Sequence, residues 1–413
     1  MRRVVITGIG IYSCIGNNAE EVTRSLYDGR SGIGIEAERT EYGYRSPLTG
    51  IVDQPQLKGV LDRRLRIGLA EEGEYAYMAT VEAFANAGID TDYLENNEMG
   101  IFYGNDSSAK AVIEANDIAM AKRDTSLIGS GAIFRSMNST VTMNLSTIFK
   151  LRGANMTISA ACASGSHSIG LGYIFIKNGL QDLVLCGGAQ ETNMYSMGSF
   201  DALGAFSTRA SEPTKASRPF DKSRDGLIPS GGAASLVLEE YEHAKARGAK
   251  IYAEMVGGGL SADAHHLTAP HPDGYGAKMV MHNALEDAGM KPTDIDYINV
   301  HGTSTPLGDI SELKAIKNLF GEHAYNLNIS ATKSMTGHLL GATGAVEAII
   351  SVLAVKNDII PPTINHSDDD IDEEIDYRLN LTFNKAQKRT VRAALSNTFG
   401  FGGHNASVIV KKI

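Results

Sequence analysis

The sequence predicts an α/β protein built from two related halves. Strand-like and helix-like segments alternate along all 413 residues, which is typical of a sheet covered by helices. ISAACASGSHSIGLGYIFIKNG (158–179) aligns with ISATKSMTGHLLGATGAVEAIISVLAVKND (329–358), and VEAFANAGIDTDY (81–93) resembles MHNALEDAGMKPTDIDY (281–297). Internal similarity of this kind indicates a duplication.

The elements of the first half, which we place at residues 1–250, follow from local pattern. RVVITGIG is an alternating strand, and EEVTRSLYDG after it is helical. A long helix is predicted over 71–87. The strand ISA then leads into a helix rich in small residues, DLVLCGG is the next buried strand, and AASLVLEEYEHAKARG runs from strand into helix.

The second half, residues 251–413, repeats the alternation. IDYINVHG and NLNISATKS are strands on either side of the helical ELKAIKNLFG. The acidic run DDDIDEE (368–374) is expected to be a solvated loop. A glycine-rich loop, SNTFGFGGHN (396–405), follows the last predicted strand.

Composition excludes several classes of protein. The formal charge is -10, with 43% hydrophobic and 21% charged residues, so the chain is globular and acidic. This balance argues against nucleic acid as a partner. No apolar run approaches the roughly 18 residues that span a bilayer, and the N-terminus enters a strand without a signal-peptide pattern. We expect a cytoplasmic protein with no membrane partner.

The three cysteines have different contexts and are too few for a disulfide framework. Cys186 lies in a buried strand and Cys14 near a turn, and neither has metal-ligand spacing, so we predict no metal site. Cys162 stands where a strand gives way to a helix. There the helix dipole lowers a thiol pKa toward neutrality and favours a nucleophilic thiolate. A small buried residue at that junction is an equally good interpretation from position alone.

Two histidines favour the nucleophile. His301 ends the strand in INVHGTSTPLGD, and His338 opens the second repeated helix in SATKSMTGHLLGATG. If the halves are related by pseudo-symmetry, both repeated helix starts approach one site, where histidines donate hydrogen bonds or act as acid and base. Lys333 matches Cys162 in the repeat and either orients a histidine or is a solvated lysine. The glycines of SNTFGFGGHN either aim N–H groups at an oxyanion or form a tight turn.

Six motifs in this order resemble the β-ketoacyl-[acyl-carrier-protein] synthases of the synthase I/II type. They are VVITGIG, SAACASGSHSIG, SRPFDKSRDG, NVHGTSTPLGD, TKSMTGHLLGATG and SNTFGFGG. The resemblance spans the whole chain. It implies the thiolase fold, in which two duplicated βαβαβαββ halves form a five-layered α-β-α-β-α core. It also implies a decarboxylative Claisen condensation that elongates an acyl chain by two carbons in fatty acid biosynthesis. The substrates would arrive on the phosphopantetheine of an acyl carrier protein, so no other cofactor is expected.

The resemblance also implies roles for individual residues. The implied catalytic set is Cys162, His301, His338, Lys333, Glu347 and Phe401. The cysteine would hold the acyl chain as a thioester, and the two histidines would promote decarboxylation of malonyl-carrier protein. Backbone N–H groups of Cys162 and Phe401 would form the oxyanion hole, with Phe401 also gating the acyl pocket. The lysine and the glutamate are the family's supporting charged residues.

Further residues are implied for substrates and partners. Thr303 and Thr305 would bind the phosphopantetheine arm. Carrier-protein docking would use Arg63, Arg64, Arg66 and Arg209. The family mostly forms homodimers. Some relatives hold a structural cation at positions corresponding to Asn299, Glu347, Ser396 and Asn397.

The chain departs from the family's usual pattern in places that affect substrate choice. Asn105 and Asp106, in FYGNDSSAKA, replace a Gly/Ser-rich run that approaches the partner subunit's acyl pocket in relatives. We therefore place both in the substrate-binding set, and chain length and saturation stay open. His404 stands where threonine is usual, and Pro229 and Ser230 replace a Gly/Asp-containing run.

Several other interpretations compete with a synthase of fatty acid biosynthesis. The loop SADAHHLTAPHPDG (261–274) resembles synthase II and YSCIGNN resembles synthase I, and we favour synthase II. A ketosynthase of a polyene or polyketide pathway would use the same Cys-His-His chemistry. A non-catalytic partner subunit of the chain-length-factor class is a further alternative, but such subunits usually lack the active-site cysteine. A thiolase would need a second catalytic cysteine in the C-terminal loops. A cysteine hydrolase has no reason to use two histidines.

Overall fold

A computed structural model describes residues 1–413. The strands are β1 (Val4–Ser13), β2 (Ile33–Ile35), β3 (Leu48–Gly50), β4 (Gly100–Gly104), β5 (Asn155–Ile158), β6 (Leu183–Gln190), β7 (Gly232–Glu240), β8 (Ala253–Ala262), β9 (Tyr297–Asn299), β10 (Asn328–Ser330), β11 (Ile359–Ile360), β12 (Gln387–Lys388), β13 (Ala393–Gly400) and β14 (His404–Lys411). The α-helices are α1 (Ala19–Asp28), α2 (Ala37–Glu41), α3 (Arg63–Arg66), α4 (Glu71–Ala87), α5 (Thr91–Asn96), α6 (Ala109–Lys122), α7 (Ala132–Ser136), α8 (Thr140–Phe149), α9 (Ser164–Lys177), α10 (Met194–Leu203), α11 (Tyr241–Ala246), α12 (Tyr275–Ala288), α13 (Pro306–Phe320), α14 (Lys333–Thr336) and α15 (Thr343–Asn357). Short 3-10 turns cover Thr125–Leu127, Pro213–Lys215, Pro292–Asp294, Gly321–Asn326, Leu340–Ala342 and Phe401–Gly403.

Ten of the strands form one sheet whose two halves have the same topology. The order is β10-β9-β13-β14-β8-β1-β7-β6-β4-β5, so the duplicated halves meet at β8 and β1. In the first half β1–β7 and β7–β6 are antiparallel, whereas β6–β4 and β4–β5 are parallel. In the second half β8–β14 and β14–β13 are antiparallel, and β13–β9 and β9–β10 are parallel. The predicted duplication is confirmed.

Helices divide the protein into five layers. The halves of the sheet are joined by only three residue pairs between β1 and β8. Helix α4 covers the outer face of the first half, against β1 and β7, and α12 covers β8 and β14 in the second half. Helices α9 and α15 pack against each other between the two halves. This is the α-β-α-β-α arrangement that the resemblance implies.

The two central helices touch backbone to backbone through glycine. A Cβ atom at Gly165 on α9 would lie 2.8 Å from the backbone nitrogen of Ala345 on α15. One at Gly344 on α15 would lie 2.1 Å from Ser166 Oγ on α9. Both glycines are therefore required by the close approach of the helices, and this approach brings the starts of the two repeated helices together.

Helix α15 is buried along almost its whole length. The expectation that no apolar run approaches the length of a bilayer span is wrong for the segment Leu340–Asn357, which is long and apolar enough by length and composition. However, 89% of this segment is buried inside the protein. Every residue from Thr343 to Val355 is buried. A helix enclosed on all sides by other elements is apolar around its whole circumference, which explains this composition.

The helix contact gives a first prediction, for Gly165→Ala. The added methyl group meets backbone atoms that cannot rotate away, so the free energy of unfolding should fall by about 1–3 kcal/mol. Gly170→Ala on the same helix is the matched control, because a Cβ atom there meets no atom within 4 Å. It should be neutral or stabilising by up to about 1 kcal/mol. Urea unfolding of both variants measures the difference, and equal midpoints would contradict the proposed contact.

Candidate active site

The residues predicted to carry the chemistry follow the carboxyl ends of parallel strands. Cys162 follows β5, His301 follows β9, and His338 follows β10 after one helical turn. Loops at this edge of the two halves enclose one cavity of about 490 Å³. Its lining includes Cys162, His301, Thr303, Thr305, His338 and Phe401. The structure therefore brings six of the predicted site residues to one cavity.

A strained turn presents the cysteine. Ala161, just before it, has a left-handed backbone with φ of 48°, a conformation that costs a non-glycine residue about 1–2 kcal/mol. The backbone N–H groups of Phe401 and Cys162 both act on the thiol and lower its pKa. Gly400 permits this, because a Cβ atom there would lie 3.1 Å from the Cys162 nitrogen. Two N–H groups beside a nucleophilic sulfur can bind an oxyanion that forms on its acyl group.

Burial controls the ionisation of the thiol. It raises the pKa of Cys162 to about 12, while the Lys333 ammonium and the Phe401 N–H oppose the shift and the Asp106 carboxylate adds to it. The expectation of a thiol pKa near neutrality is therefore wrong, since desolvation outweighs the helix terminus. The cysteine is a neutral thiol at rest and must pass its proton to a base when it reacts.

The side chain of His338 is fixed in one tautomer. Its Nδ1 atom accepts a hydrogen bond from the backbone N–H of Leu340 at 3.3 Å. The Thr343 hydroxyl lies 2.9 Å from the same nitrogen. A neutral imidazole that accepts at Nδ1 carries its proton on Nε2. His338 is therefore a hydrogen-bond donor at Nε2.

The segment that departs from the family pattern holds the His338 backbone. The His338 N–H donates to the Ile228 carbonyl at 2.7 Å, and the Ser230 N–H donates to the His338 carbonyl at 2.9 Å. These bonds bracket Pro229, whose missing N–H is not needed there. The departure at Pro229 and Ser230 is thus compatible with the site, because the contact uses main-chain atoms.

A buried carboxylate that the sequence analysis missed positions His301. Glu312 on α13 accepts hydrogen bonds from the backbone N–H groups of His301 and Gly302, both at 2.9 Å, and from the Asn397 amide at 3.1 Å. The ring of His301 lies 5.2 Å from that of His338, centroid to centroid, at 85°. The buried Nδ1 atom of His301 has no hydrogen-bond partner, so either tautomer is open to this ring.

Lys333 and Glu347 form a buried ion pair next to the cavity. Lys333 Nζ lies 2.6 Å from Glu347 Oε1. Burial lowers the pKa values of His301 and His338 well below the usual histidine value, and the Lys333 ammonium lowers them further. Burial raises the pKa of Glu347 to about 7, against the effect of Lys333. Both histidines are therefore neutral at physiological pH.

The two threonines line the cavity on a rigid loop. Thr303 Oγ1 lies 3.0 Å from Thr305 Oγ1. Between them Ser304 is left-handed, with φ of 66°, and its N–H donates to Asp309 at 3.2 Å. Arg224 donates to the Thr305 carbonyl at 3.3 Å. The loop presents two adjacent hydroxyl groups to whatever occupies the cavity.

Some predicted substrate residues lie elsewhere. Asn105 is buried and donates to Ser108 and to the Asn138 carbonyl, so its side chain serves the fold. Asp106 also does not line the cavity, and its carboxylate binds the loop before Cys162. The expectation for these two residues concerns the acyl pocket of the partner subunit, so it stays a prediction.

The predicted docking arginines also lie outside the cavity wall. Arg63 and Arg64 are exposed on the single turn of α3, and Arg66 is half-buried and donates to the Leu61 carbonyl. Arg209 donates to the Ser223 carbonyl at 2.7 Å. Their role in docking stays a prediction.

The residues of the possible cation site contain oxygen atoms without partners. Asn299 Oδ1, Glu347 Oε2 and Ser396 Oγ are buried and make no hydrogen bond. Asn299 and Ser396 are register partners on β9 and β13, and Glu347 lies on α15, which packs on both strands. Asn397 differs, because its side chain is engaged by Glu312 and Ser407. Three unpartnered oxygen atoms fit a hard cation. No group of three or more His, Cys, Asp or Glu side chains is placed to hold a metal ion.

Two family models together cover most of the chain. Residues 1–244 match the family described as beta-ketoacyl synthase, N-terminal domain, and residues 252–367 match the beta-ketoacyl synthase, C-terminal domain.

The chain belongs to the beta-ketoacyl synthase family.

Curated relatives of this synthase carry two names. This chain is 44% identical to 3-oxoacyl-[acyl-carrier-protein] synthase 1 of Haemophilus influenzae, over all of this chain and 99% of the relative. The chain is 40% identical to 3-oxoacyl-[acyl-carrier-protein] synthase 2 of Vibrio harveyi, with the same coverage. The family is established by these matches, and the synthase is a condensing acyltransferase. Synthase I and synthase II are not distinguished by them.

Solved structures confirm the predicted fold. A beta-ketoacyl synthase from Burkholderia phymatum STM815 superposes with a TM-score of 0.92 at 36% identity, covering 100% of both chains. A type II PKS acyl-carrier protein in complex with its ketosynthase bound to the hexaketide gives a TM-score of 0.89 at 29% identity, covering 100% of this chain and 99% of that one. The fold is the thiolase-like fold of ketosynthases.

The ion pair generates a second prediction, for Lys333→Met. Removal of the ammonium makes protonation of His301 and His338 less unfavourable, so their pKa values should rise. The Cys162 thiolate loses a neighbouring cation, so the thiol pKa should also rise. Histidine NMR titration and the pH dependence of Cys162 alkylation by iodoacetamide measure the two shifts.

Lys317→Met is the control for this prediction. Lys317 pairs with Asp376 at 2.6 Å, but it is partly exposed and is not among the cavity residues. Its removal should leave both titrations unchanged. If Lys333→Met also leaves them unchanged, Lys333 does not set the ionisation of the site.

Proposed function

We propose that this synthase catalyses the decarboxylative condensation of malonyl-[acyl-carrier-protein] with an acyl chain on Cys162, in fatty acid biosynthesis. The observation that carries the proposal is the convergence of one thiol, two neutral histidines and two backbone N–H donors on one cavity. The full-length similarity to 3-oxoacyl-[acyl-carrier-protein] synthases supports the choice of substrates.

The first step is acyl transfer to Cys162. The neutral thiol needs a base, and His338 is not free at Nδ1 and carries hydrogen on Nε2. His301 has no partner that fixes its tautomer, so it is the ring able to take the proton. The sulfur then attacks the thioester carbonyl of the acyl carrier protein. The N–H groups of Cys162 and Phe401 bind the oxyanion until the carrier thiolate leaves and is protonated.

The second step joins the two substrates. Malonyl-carrier protein loses carbon dioxide, and the electron pair of the broken bond forms an enolate on the remaining thioester. The Nε2–H of His338 is a donor for the enolate oxygen, and burial, together with the Lys333 ammonium, lowers the pKa of this ring and keeps it neutral. The carbanion attacks the acyl-Cys162 carbonyl, and collapse of the tetrahedral intermediate releases a β-ketoacyl chain two carbons longer on the carrier protein. The Cys162 thiolate that leaves takes up a proton from solvent and returns to the resting thiol.

The substrates would reach the cavity on a phosphopantetheine arm. The hydroxyls of Thr303 and Thr305 at the cavity wall are suitable partners for its amide groups. No further cofactor is proposed for the reaction. If a cation occupies the oxygens around Glu347, it would supply positive charge that fixes this carboxylate between β9, β13 and α15. We also propose that the protein is cytoplasmic and that it belongs to the synthase II subgroup.

An uncovered sheet edge supports a homodimer. The two halves end in equivalent strands, β5 and β10. Strand β10 is buried, and the N–H of Ile329 donates to the Asn380 carbonyl beside it. On β5, by contrast, Asn155 and Met156 are exposed, and Ile174 on the neighbouring α9 is exposed as well. An open apolar edge of this kind is a template for pairing, and the same edge of a second copy is its proposed partner.

The polyene or polyketide alternative is not favoured. The curated relatives match at 44% and 40%, whereas the polyketide ketosynthase structure matches at 29%. The presence of Cys162 and both histidines in the cavity also leaves no reason to propose a non-catalytic subunit.

The third prediction tests the nucleophile and the donor separately. Cys162→Ala should gain no acyl mass from acyl-carrier proteins of any chain length, whereas Cys186→Ala, at another buried thiol, should be acylated like the unmodified protein. His338→Ala should still be acylated, but decarboxylation of malonyl-carrier protein should fall about 100- to 1,000-fold, as for loss of one oxyanion donor. Intact-mass analysis and carbon dioxide release measure these steps. Acylation of Cys162→Ala would remove Cys162 from the mechanism.

The fourth prediction concerns the edge strand. A double change, Met156→Glu and Ile174→Glu, places charges on the proposed interface and should convert a dimer to a monomer. Val81→Glu is the control, because Val81 is an exposed residue of similar size on the outer helix α4. Light scattering after gel filtration gives the masses. A dimer that survives the double change, or a protein that is monomeric throughout, would contradict the use of this edge.

A further inference from the structure

Asp106 is tied to the turn that presents the nucleophile. One oxygen of its carboxylate accepts a hydrogen bond from the backbone N–H of Ala161 at 3.1 Å and another from the Ser159 hydroxyl at 2.5 Å. The Asp106 carbonyl in turn accepts from the Asn138 amide at 3.1 Å. The residue therefore connects the end of β4 to the loop after β5. These strands are adjacent and parallel, so their carboxyl ends bring the two loops together.

The bond to Ala161 falls on the strained residue of this turn. Ala161 holds φ at 48°, and the next peptide supplies the N–H of Cys162. The Ser164 hydroxyl bridges the Ala160 N–H and the Ala161 carbonyl, at 2.8 Å and 2.7 Å. The Ala161 N–H is the remaining polar group of the residue, and Asp106 is its partner. A conformation that costs free energy persists only when its surroundings hold it.

We propose that Asp106 is a positioning residue for acyl transfer, which holds the Ala161 peptide so that the Cys162 N–H faces the oxyanion. The inference rests on the proposed function only in taking Cys162 as the nucleophile. It concerns a residue at which this chain departs from the family's Gly/Ser-rich pattern. Asp106 touches neither the cavity nor the reacting atoms and acts through the backbone.

The charge of Asp106 has a second, separable effect. The charged side chains with the largest effect on the Cys162 thiol are Lys333 and Asp106. Glu312 and Asp263 also line the cavity, and His301 and His338 line it as neutral rings. A carboxylate near the sulfur opposes thiolate formation, so an uncharged residue at 106 should ease ionisation. Position and charge can therefore be tested apart by two substitutions. Asp106→Asn keeps an oxygen acceptor and loses the charge, and Asp106→Ala loses both.

The experiment compares two reactions of Cys162 in the full-length protein. Alkylation by iodoacetamide passes through no oxyanion, whereas acylation by 4-nitrophenyl acetate does, and neither reagent needs a carrier protein. Both rates are compared at one pH near neutrality, where each depends on the same small fraction of thiolate. In Asp106→Ala, the ratio of the acylation rate to the alkylation rate should fall at least about tenfold relative to the unmodified protein, as for a weakened oxyanion donor. Asp106→Asn should keep this ratio, and both variants should be alkylated faster than the unmodified protein because the negative charge near the sulfur is gone.

Controls separate positioning from charge and from folding. Asp92→Asn removes an exposed carboxylate on α5 and should change neither reaction. Circular dichroism and the thermal midpoint establish that each variant is folded, and Asp106→Leu replaces Asp106→Ala if the latter does not fold. An unchanged ratio of acylation to alkylation in Asp106→Ala would overturn the proposal. Equal losses of acylation and alkylation would also overturn it, because they would show general disorder of the loop.

Failure of the proposed function gives a different result. If acyl-carrier proteins do not acylate the unmodified protein but 4-nitrophenyl acetate does, the substrate assignment fails and the role of Asp106 is still decided by the comparison above. If carrier-dependent acylation occurs and Asp106→Ala matches the unmodified protein in both assays, the function stands and the positioning role fails.

Discussion

The backbone contact between helices α9 and α15 is the constraint on which the site depends. Gly165 and Gly344 let the two helices approach without intervening side chains. The first helix begins after Cys162, and the second follows His338, so their crossing places thiol and imidazole on one cavity. Gly188 on β6 continues the contact, because a Cβ atom there would lie 2.8 Å from the Gly341 carbonyl oxygen. Side chains at these glycines would separate the two halves of the chemistry.

A symmetric scaffold here supports asymmetric chemistry. The halves share one strand topology, but the nucleophile stands in the first half and Lys333 stands in the equivalent position of the second. Burial then has opposite effects on the two kinds of group, since it raises the pKa of the thiol and lowers those of the histidines. Lys333 is paired with Glu347, so the cavity holds neutral reactive groups at rest. Negative charge develops only on the oxyanion of a reacting substrate, and the backbone N–H donors are already placed to form hydrogen bonds to it.

Local sequence pattern predicted many of the helices and strands, whereas the surroundings of individual side chains depended on contacts between distant segments. The helix over 71–87 has the predicted bounds, and the duplicated segments correspond to α9 and α15 with their preceding strands. The acidic run 368–374 is only partly solvated, because Asp370 accepts a hydrogen bond from the Ser223 N–H and Asp372 pairs with Arg224. These partners lie about 150 residues away, and a charge run alone cannot indicate them. The expectation of a thiol pKa near neutrality was wrong for a related reason. The start of a helix can be predicted from sequence, whereas the depth at which the thiol is buried cannot.

Two carboxylates that the sequence analysis missed share one function with Asp106, which it assigned to substrate binding. Glu312 accepts the N–H groups of His301 and Gly302, Asp309 accepts the N–H of Ser304 between the two threonines, and Asp106 accepts the N–H next to Cys162. In each case a carboxylate holds the backbone beside a residue that faces the cavity. A carboxylate suits this task because it accepts several N–H bonds and forms stronger hydrogen bonds than a neutral acceptor. Their positions follow no common spacing from the residues they hold. Glu312 and Asp309 lie on α13, 11 and 5 residues after the N–H groups of His301 and Ser304 that they accept, whereas Asp106 follows β4, 55 residues before Ala161. Motifs therefore identify the groups that meet the substrate, whereas the role of the carboxylates that aim these groups can be recognised only from the folded chain, even for Asp309, which ends the motif NVHGTSTPLGD.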